Sequence, residues 1–143
     1  MTTAARNLKK TVHSILSAST VFLLAMQPVS AADRIASGKW ESAITTDGDT
    51  KTITHCISAA EAASLNGDSK SGRAFAEKKA DGRCAISAYD INGATVSYTL
   101  VCGARTIKDK TTFHGETAEG TKTVTGQGET TTSTLKSRRI GPC

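Results

Sequence analysis

Large apolar side chains are scarce in this sequence. It holds one Trp, two Tyr and three Phe in 143 residues, and only Trp40, Phe75, Tyr89, Tyr98 and Phe113 lie beyond residue 32. A small exported chain with so few large apolar groups builds a thin core and commonly makes up the difference with disulfides. The signatures of several chemistries are missing as well. There is no Cys-x-x-Cys, which argues against a redox pair or a zinc site. There is no Gly-rich phosphate loop and no serine or cysteine hydrolase motif. No basic face is interleaved with aromatics, so nucleic acid is not an expected partner. Asp47-Gly48-Asp49 lacks the ligand ladder and distal glutamate of a calcium loop and reads as a turn.

What is present begins with the N-terminus. Arg6, Lys9 and Lys10 precede an uncharged stretch over 12–26 and then Pro28-Val29-Ser30-Ala31-Ala32. This is the pattern of a secretory signal peptide over 1–32, cleaved near Ala31 or Ala32. No cysteine follows either point, so a lipid anchor is not expected, and the apolar run is short for a bilayer span, so no transmembrane segment should remain after cleavage. The net charge of +5 then falls to about +2, with 15 basic against 13 acidic residues over 33–143. That remainder is expected to be a single small β-rich domain in a periplasmic or secreted setting.

Alternation of apolar and polar residues predicts strands over 38–46 and 50–57, separated by the Asp47-Gly48-Asp49 turn. Ser58-Ala59-Ala60-Glu61 has the form of a capping box and predicts a short helix over 59–65 that stops at Asn66-Gly67. Residues 66–72 are the most loop-like stretch, and 74–80 is a candidate second helical piece ended by Asp81-Gly82. The strongest hairpin signal is 83–103, where two β-prone runs flank Asp90-Ile91-Asn92-Gly93. Beyond it the chain is threonine-rich and predicts three short antiparallel strands, with turns or bulges at Glu119-Gly120 and Gly126-Gln127-Gly128. Their few apolar residues imply that one sheet face is largely wet. The expected fold class is α+β, mainly β: an antiparallel twisted meander sheet with one or two short helices, stapled by disulfides.

Cys56, Cys84, Cys102 and Cys143 are the only constellation with a sharp chemical meaning, and in an oxidising compartment they read as structural disulfides. A hairpin register with Asp90 opposite Ala94 puts Cys84 opposite Leu100, one diagonal step from Cys102. Diagonal neighbours stand about 7–8 Å apart, too far for an easy bridge. The same register gathers Cys84, Ile86, Ala88, Val96, Tyr98, Leu100 and Cys102 on one apolar face. Of the two remaining connectivities, Cys56 with Cys84 and Cys102 with Cys143 is preferred, because neighbouring elements usually touch.

His55 and His114 are candidates for metal ligands or a general base. No nucleophile, oxyanion turn or orienting carboxylate accompanies either at a recognisable spacing, so no catalytic, cofactor or metal residue is expected. The alternating threonines of 121–125 could order water or carry sugar, although strand propensity explains them.

Ser37-Gly38-Lys39-Trp40-Glu41 behind a signal peptide, Cys56-Ile57-Ser58-Ala59-Ala60-Glu61-Ala62 leading a helix, the Cys84 to Cys102-Gly103 hairpin, Phe113-His114-Gly115 and the terminal Arg138-Arg139-Ile140-Gly141-Pro142-Cys143 together resemble the bacterial exported domain-of-unknown-function 3617 family. The resemblance covers nearly all of 33–143. It implies a small periplasmic, cysteine-stapled β protein and brings no activity, cofactor or catalytic residue with it. Lys39 departs from the family pattern, which more often has an apolar residue before the Trp. The expected function is therefore a non-enzymatic binding or interaction module of the cell envelope, with an envelope protein, glycan or small ligand as partner. The alternative is an inhibitor of an envelope lysozyme or protease, and a small hydrolase or metal enzyme using His55 or His114 stands third.

Overall fold

The protein is described by a computed structural model over residues 33–143; the expected signal peptide, 1–32, lies outside the described residues. Seven antiparallel strands form one sheet in the order β2-β1-β7-β6-β5-β4-β3. The strands are β1 (Gly38–Thr46), β2 (Asp49–Ile57), β3 (Ala85–Asn92), β4 (Thr95–Cys102), β5 (Arg105–Phe113), β6 (Thr117–Gly126) and β7 (Glu129–Gly141), and the helices α1 (Ala59–Asn66) and α2 (Ser69–Ala80) fall between β2 and β3. The expected class is therefore what the chain adopts. Strands β3 to β7 form the meander, and the one neighbour out of sequence order is β1, which lies beside β7.

The capping box forms as its residues dictate: the Ser58 hydroxyl accepts from the Glu61 amide while the Glu61 carboxylate accepts from the Ser58 amide. Residues 66–72 are less of a loop than their composition implies, since α2 already begins at Ser69, with the Asp68 side chain accepting from the Ser71 amide as N-cap. Ser69, Lys70 and Ser71 face solvent, so this first turn carries no hydrophobic periodicity to announce it. At the other end Asp81 takes the left-handed conformation at φ 52° and closes the helix.

The three C-terminal strands are longer than expected, at 9, 10 and 13 residues. Gly126-Gln127-Gly128 does form a turn, with positive φ at Gln127 and Gly128. Glu119-Gly120 does not break the chain. Gly120 sits inside β6 opposite Thr111, where a Cβ would come 2.6 Å from the Lys110 carbonyl oxygen, so glycine permits a close strand approach there instead of a turn.

The central hairpin corrects the expected register and with it the expected disulfides. The turn is a two-residue loop, Gly93-Ala94, with Asn92 paired to Thr95 and Gly93 at φ 58°. Between Ile86 and Ala88 the register slips by one residue, so Ile86 pairs with Leu100 and Ala85 with Val101. This bulge at Ser87 rephases the strand: Tyr89 and Ile91 share a face with Ile86, and Ala88 turns outward. Its carbonyls are met by side chains. Arg73 of α2 donates to the Ile86 oxygen at 2.7 Å and Ser87 donates to the Thr99 oxygen. Beyond the slip the two cysteines stand directly opposite, and Cys84 is bonded to Cys102 across 4.3 Å between Cα atoms. Cys56 with Cys84 and Cys102 with Cys143 are therefore not the pairs of this fold; Cys56 and Cys143 are exposed free thiols.

One face of the sheet carries the helices. There Ile35, Trp40, Ala62 and Ala118 form the buried cluster, with Ile57, Leu65 and Phe113 packed against it. Trp40 is 1% exposed, and its indole nitrogen donates to the Ala36 carbonyl oxygen at 3.0 Å. The other face is wet and threonine-rich, as expected. Cross-strand hydroxyl pairs Thr45–Thr50, Thr95–Thr112, Thr123–Thr132 and Thr125–Thr130 tie neighbouring strands together on it.

Candidate functional site

Between the helices and the β3–β5 end of the sheet lies a chamber of about 320 Å³. Leu65, Phe75, Ala76 and Ala80 form its helical wall, and Val96, Leu100 and Phe113 project from the sheet. Strand alternation puts the three sheet residues on the helix-bearing face, since Val96 pairs with Thr111 and Leu100 with Ile107. The helical wall is held from outside. Glu61 on α1 pairs with Lys79 on α2 at 2.6 Å, and the Lys79 ammonium sits 5.5 Å over the Phe75 ring. That hydrogen bond to Lys79, with the cap contacts of Ser58, draws the Glu61 carboxyl down to about 2.

The segment before β1 fastens the helical pair to the sheet. Asn66 makes two hydrogen bonds to the backbone of Ile35, both at 2.9 Å. Arg34 donates to the carbonyls of Leu65 and Gly67, which a helix C-terminus leaves open, and at 3.5 Å to Gly93 in the β3–β4 turn.

Lys79, Tyr89, Tyr98 and Thr111 interrupt the apolar lining, and Asp109 stands behind Tyr98 and Thr111. Tyr89 and Tyr98 lie opposite each other across β3 and β4, their rings stacked 6.3 Å apart. The Tyr89 hydroxyl is buried without a hydrogen-bond partner and rests against Gly72 of α2. Burial raises the Tyr89 phenol pKa, the charge of Arg34 partly opposing it. Tyr98 pairs with Asp109 across β4 and β5; burial raises its phenol further, and the Asp109 charge adds to that. Asp109 is itself raised by burial, against the pull of the Thr111 hydroxyl, which donates to it at 2.9 Å, and of Lys122 at 3.9 Å. Past Thr111 a second hollow of about 70 Å³ lies between Ile44, Asp109, Lys122 and Leu135. The chamber is thus apolar over most of its wall, with two phenols and the Thr111 hydroxyl gathered along β3–β5.

The residues that the sequence singles out lie elsewhere. His55 is on β2, at one edge of the sheet, and His114 follows β5, with its Nε2 4.0 Å from Glu119. Three strands separate β2 from β5, and the fold does not bring the two histidines together. Among the described residues no three His, Cys, Asp or Glu side chains group as a metal site. Sequence reading passed over Gly72, Tyr89 as a wall residue, and Asp109. For Asp109 a signal existed: Ile107, Asp109, Thr111 and Phe113 share one strand face, so a carboxylate occupies an inward position of an otherwise core-facing series.

Fold and chamber together define a single-sheet antiparallel β protein with a helical pair enclosing a mostly apolar cavity. The chain belongs to the family described as protein of unknown function (DUF3617), which it matches over residues 31–143. No curated protein and no solved structure matches it.

Proposed function

We propose that this protein is a non-enzymatic binding module of the cell envelope that holds a small, largely apolar molecule bearing one hydrogen-bonding group in the chamber beneath α1 and α2. The observation that carries this reading is Tyr89, which lines a mainly apolar cavity of about 320 Å³ and whose buried hydroxyl has no partner. An unmet buried hydroxyl costs on the order of 1–3 kcal/mol, and a ligand acceptor atom would recover it. The volume lies at the lower end of small-molecule sites, which combine apolar walls with a few placed polar groups. Placement in the envelope rests on the N-terminal signal pattern and on the disulfide. No helix among the described residues is long and apolar enough to cross a membrane.

The test is titration of the full chain with N-phenyl-1-naphthylamine, followed by fluorescence, for wild type and for Ala76→Phe, which fills the chamber from α2. Saturable one-site binding by wild type and at least tenfold weaker binding by A76F, with unchanged circular dichroism, support the reading. Absence of saturable binding, or equal binding by the folded variant, overturns it. Replacing both His55 and His114 with Ala should leave the titration unchanged.

A further inference from the structure

We propose that Cys56 and Cys143 form a second disulfide, which clamps the last residue of the chain onto the outermost strand of the sheet. Strand register supplies the geometry. Lys39 of β1 is paired on one side with Cys56 of β2 and on the other with Gly141 of β7, so these three residues form one row across the end of the sheet. Two residues past Gly141 the chain ends at Cys143, whose thiol has come around the start of β1 to lie beside Cys56 and the Ile57 amide. Gly38 leaves room for this passage: a Cβ there would stand 2.5 Å from the Gly141 carbonyl oxygen. Cys84 and Cys102 are already joined, so among the four cysteines each remaining thiol has only the other as an intramolecular partner. Both are exposed, hence open to an oxidant.

The step requires a disulfide-bonded oxidant, and a dithiol oxidase or glutathione disulfide suffices. One cysteine thiolate attacks an oxidant sulfur, forming a mixed disulfide and expelling the oxidant's other sulfur as thiolate. The second cysteine thiolate then attacks its partner's sulfur. The Cys56–Cys143 bond forms, the mixed disulfide breaks, and two electrons and two protons end on the oxidant as two thiols. The consequence is mechanical. Strand β2 is a sheet edge, exposed along most of its length and held in the sheet only by its pairing with β1. A bond from β2 to the end of β7 passes over β1 and ties three adjacent strands at one end.

The full chain, oxidised with glutathione disulfide, is blocked with N-ethylmaleimide and digested with trypsin without reduction. Mass spectrometry should show peptide 52–70 joined to 140–143 and neither cysteine alkylated. Alkylation of both cysteines, a bond from either to Cys84 or Cys102, or a covalent dimer on a non-reducing gel overturns the proposal. Thermal unfolding supplies an independent measurement. C56S, C143S and the double variant should share one melting temperature, several degrees below oxidised wild type, whereas additive losses in the double variant would show that the residues act separately.

Discussion

A Cβ built on Gly72 would lie 2.2 Å from the Tyr89 hydroxyl oxygen. Helix α2 therefore approaches the sheet as closely as it does because one of its residues has no side chain, and the phenol occupies the space so left. The first prediction sets two general effects against each other. Gly to Ala within a helix ordinarily stabilises by about 1 kcal/mol, whereas forcing atoms into a packed contact costs about 1–3 kcal/mol. Overpacking wins here, because the obstacle is a ring stacked on Tyr98. Gly72→Ala should lower the urea midpoint, and Tyr89→Phe should restore part of the loss in the double variant, since it removes the atom in the way. Y89F alone should raise stability by on the order of 1 kcal/mol, as it deletes an unmet buried hydroxyl. A neutral G72A would show that α2 does not bear on Tyr89.

Removing the Cys84–Cys102 bond by replacing both residues with Ser should cost about 3 kcal/mol, the value expected for a closed loop spanning 18 residues. The loss should be the same whether or not Cys56 and Cys143 are present. Calorimetry of the two backgrounds checks this. The cost matters more than in a larger protein, because among the described residues only Ile35, Trp40, Ala62, Ile86, Val96 and Ala118 are buried apolar residues.

Acid should weaken the protein partly through Glu61. Its carboxyl is drawn from 4.5 down to about 2 in the fold, so the folded state holds fewer protons than the unfolded state between those values. The stabilisation is complete above pH 4.5 and is lost as pH falls toward 2. With 26% of the Glu61 side chain exposed, solvent screens part of the interaction, and the step should be on the order of 1–2 kcal/mol. Urea midpoints of wild type should fall toward those of E61Q over this range; parallel pH curves would contradict the assignment.

Asp109 should act in the opposite direction. Burial raises its pKa above 3.8, so the folded state binds a proton that the unfolded state has already released. Its contribution to stability therefore declines as pH rises from 3.8 through the raised value. D109N cannot titrate and should lack this decline, while its amide oxygen still accepts from Thr111. Comparing unfolding free energies of the two proteins from pH 3.8 to 7 measures the difference directly, and a wild-type curve that rises relative to D109N would sink the prediction.

Much of the fold was legible locally. The β1 alternation, the Ser58 to Glu61 capping box and the Asp81-Gly82 stop each depend on residues a few positions apart, and each forms as expected. The threonine-rich face follows in the same way, since period-2 alternation places side chains without reference to the rest of the chain. The chamber was less legible. Tyr89 enters its wall because β3 and β4 close on Asn92 and Thr95, which sets it opposite Tyr98, and the Ile86 carbonyl beside the bulge is met by Arg73, on a different element. Gly120 looked like a turn because glycine punctuates chains, but it serves a close strand approach that only pairing with Thr111 reveals.

Residue types and spacing by themselves determined that this is a cysteine-bearing, mainly antiparallel β protein with a thin core and a capped helix after its second strand, because those properties arise within a turn of helix or along one strand. Which cysteines meet was decided only by tertiary structure. The strands close on Asn92 and Thr95 instead of Asp90 and Ala94, and the one-residue slip at Ser87 then sets Cys84 directly opposite Cys102 instead of diagonal to it; nothing in the local sequence marks Ser87 as the place where the slip happens. The chamber, too, exists only because a glycine on α2 and a tyrosine on β3, 17 positions apart, come into contact when helix is laid on sheet.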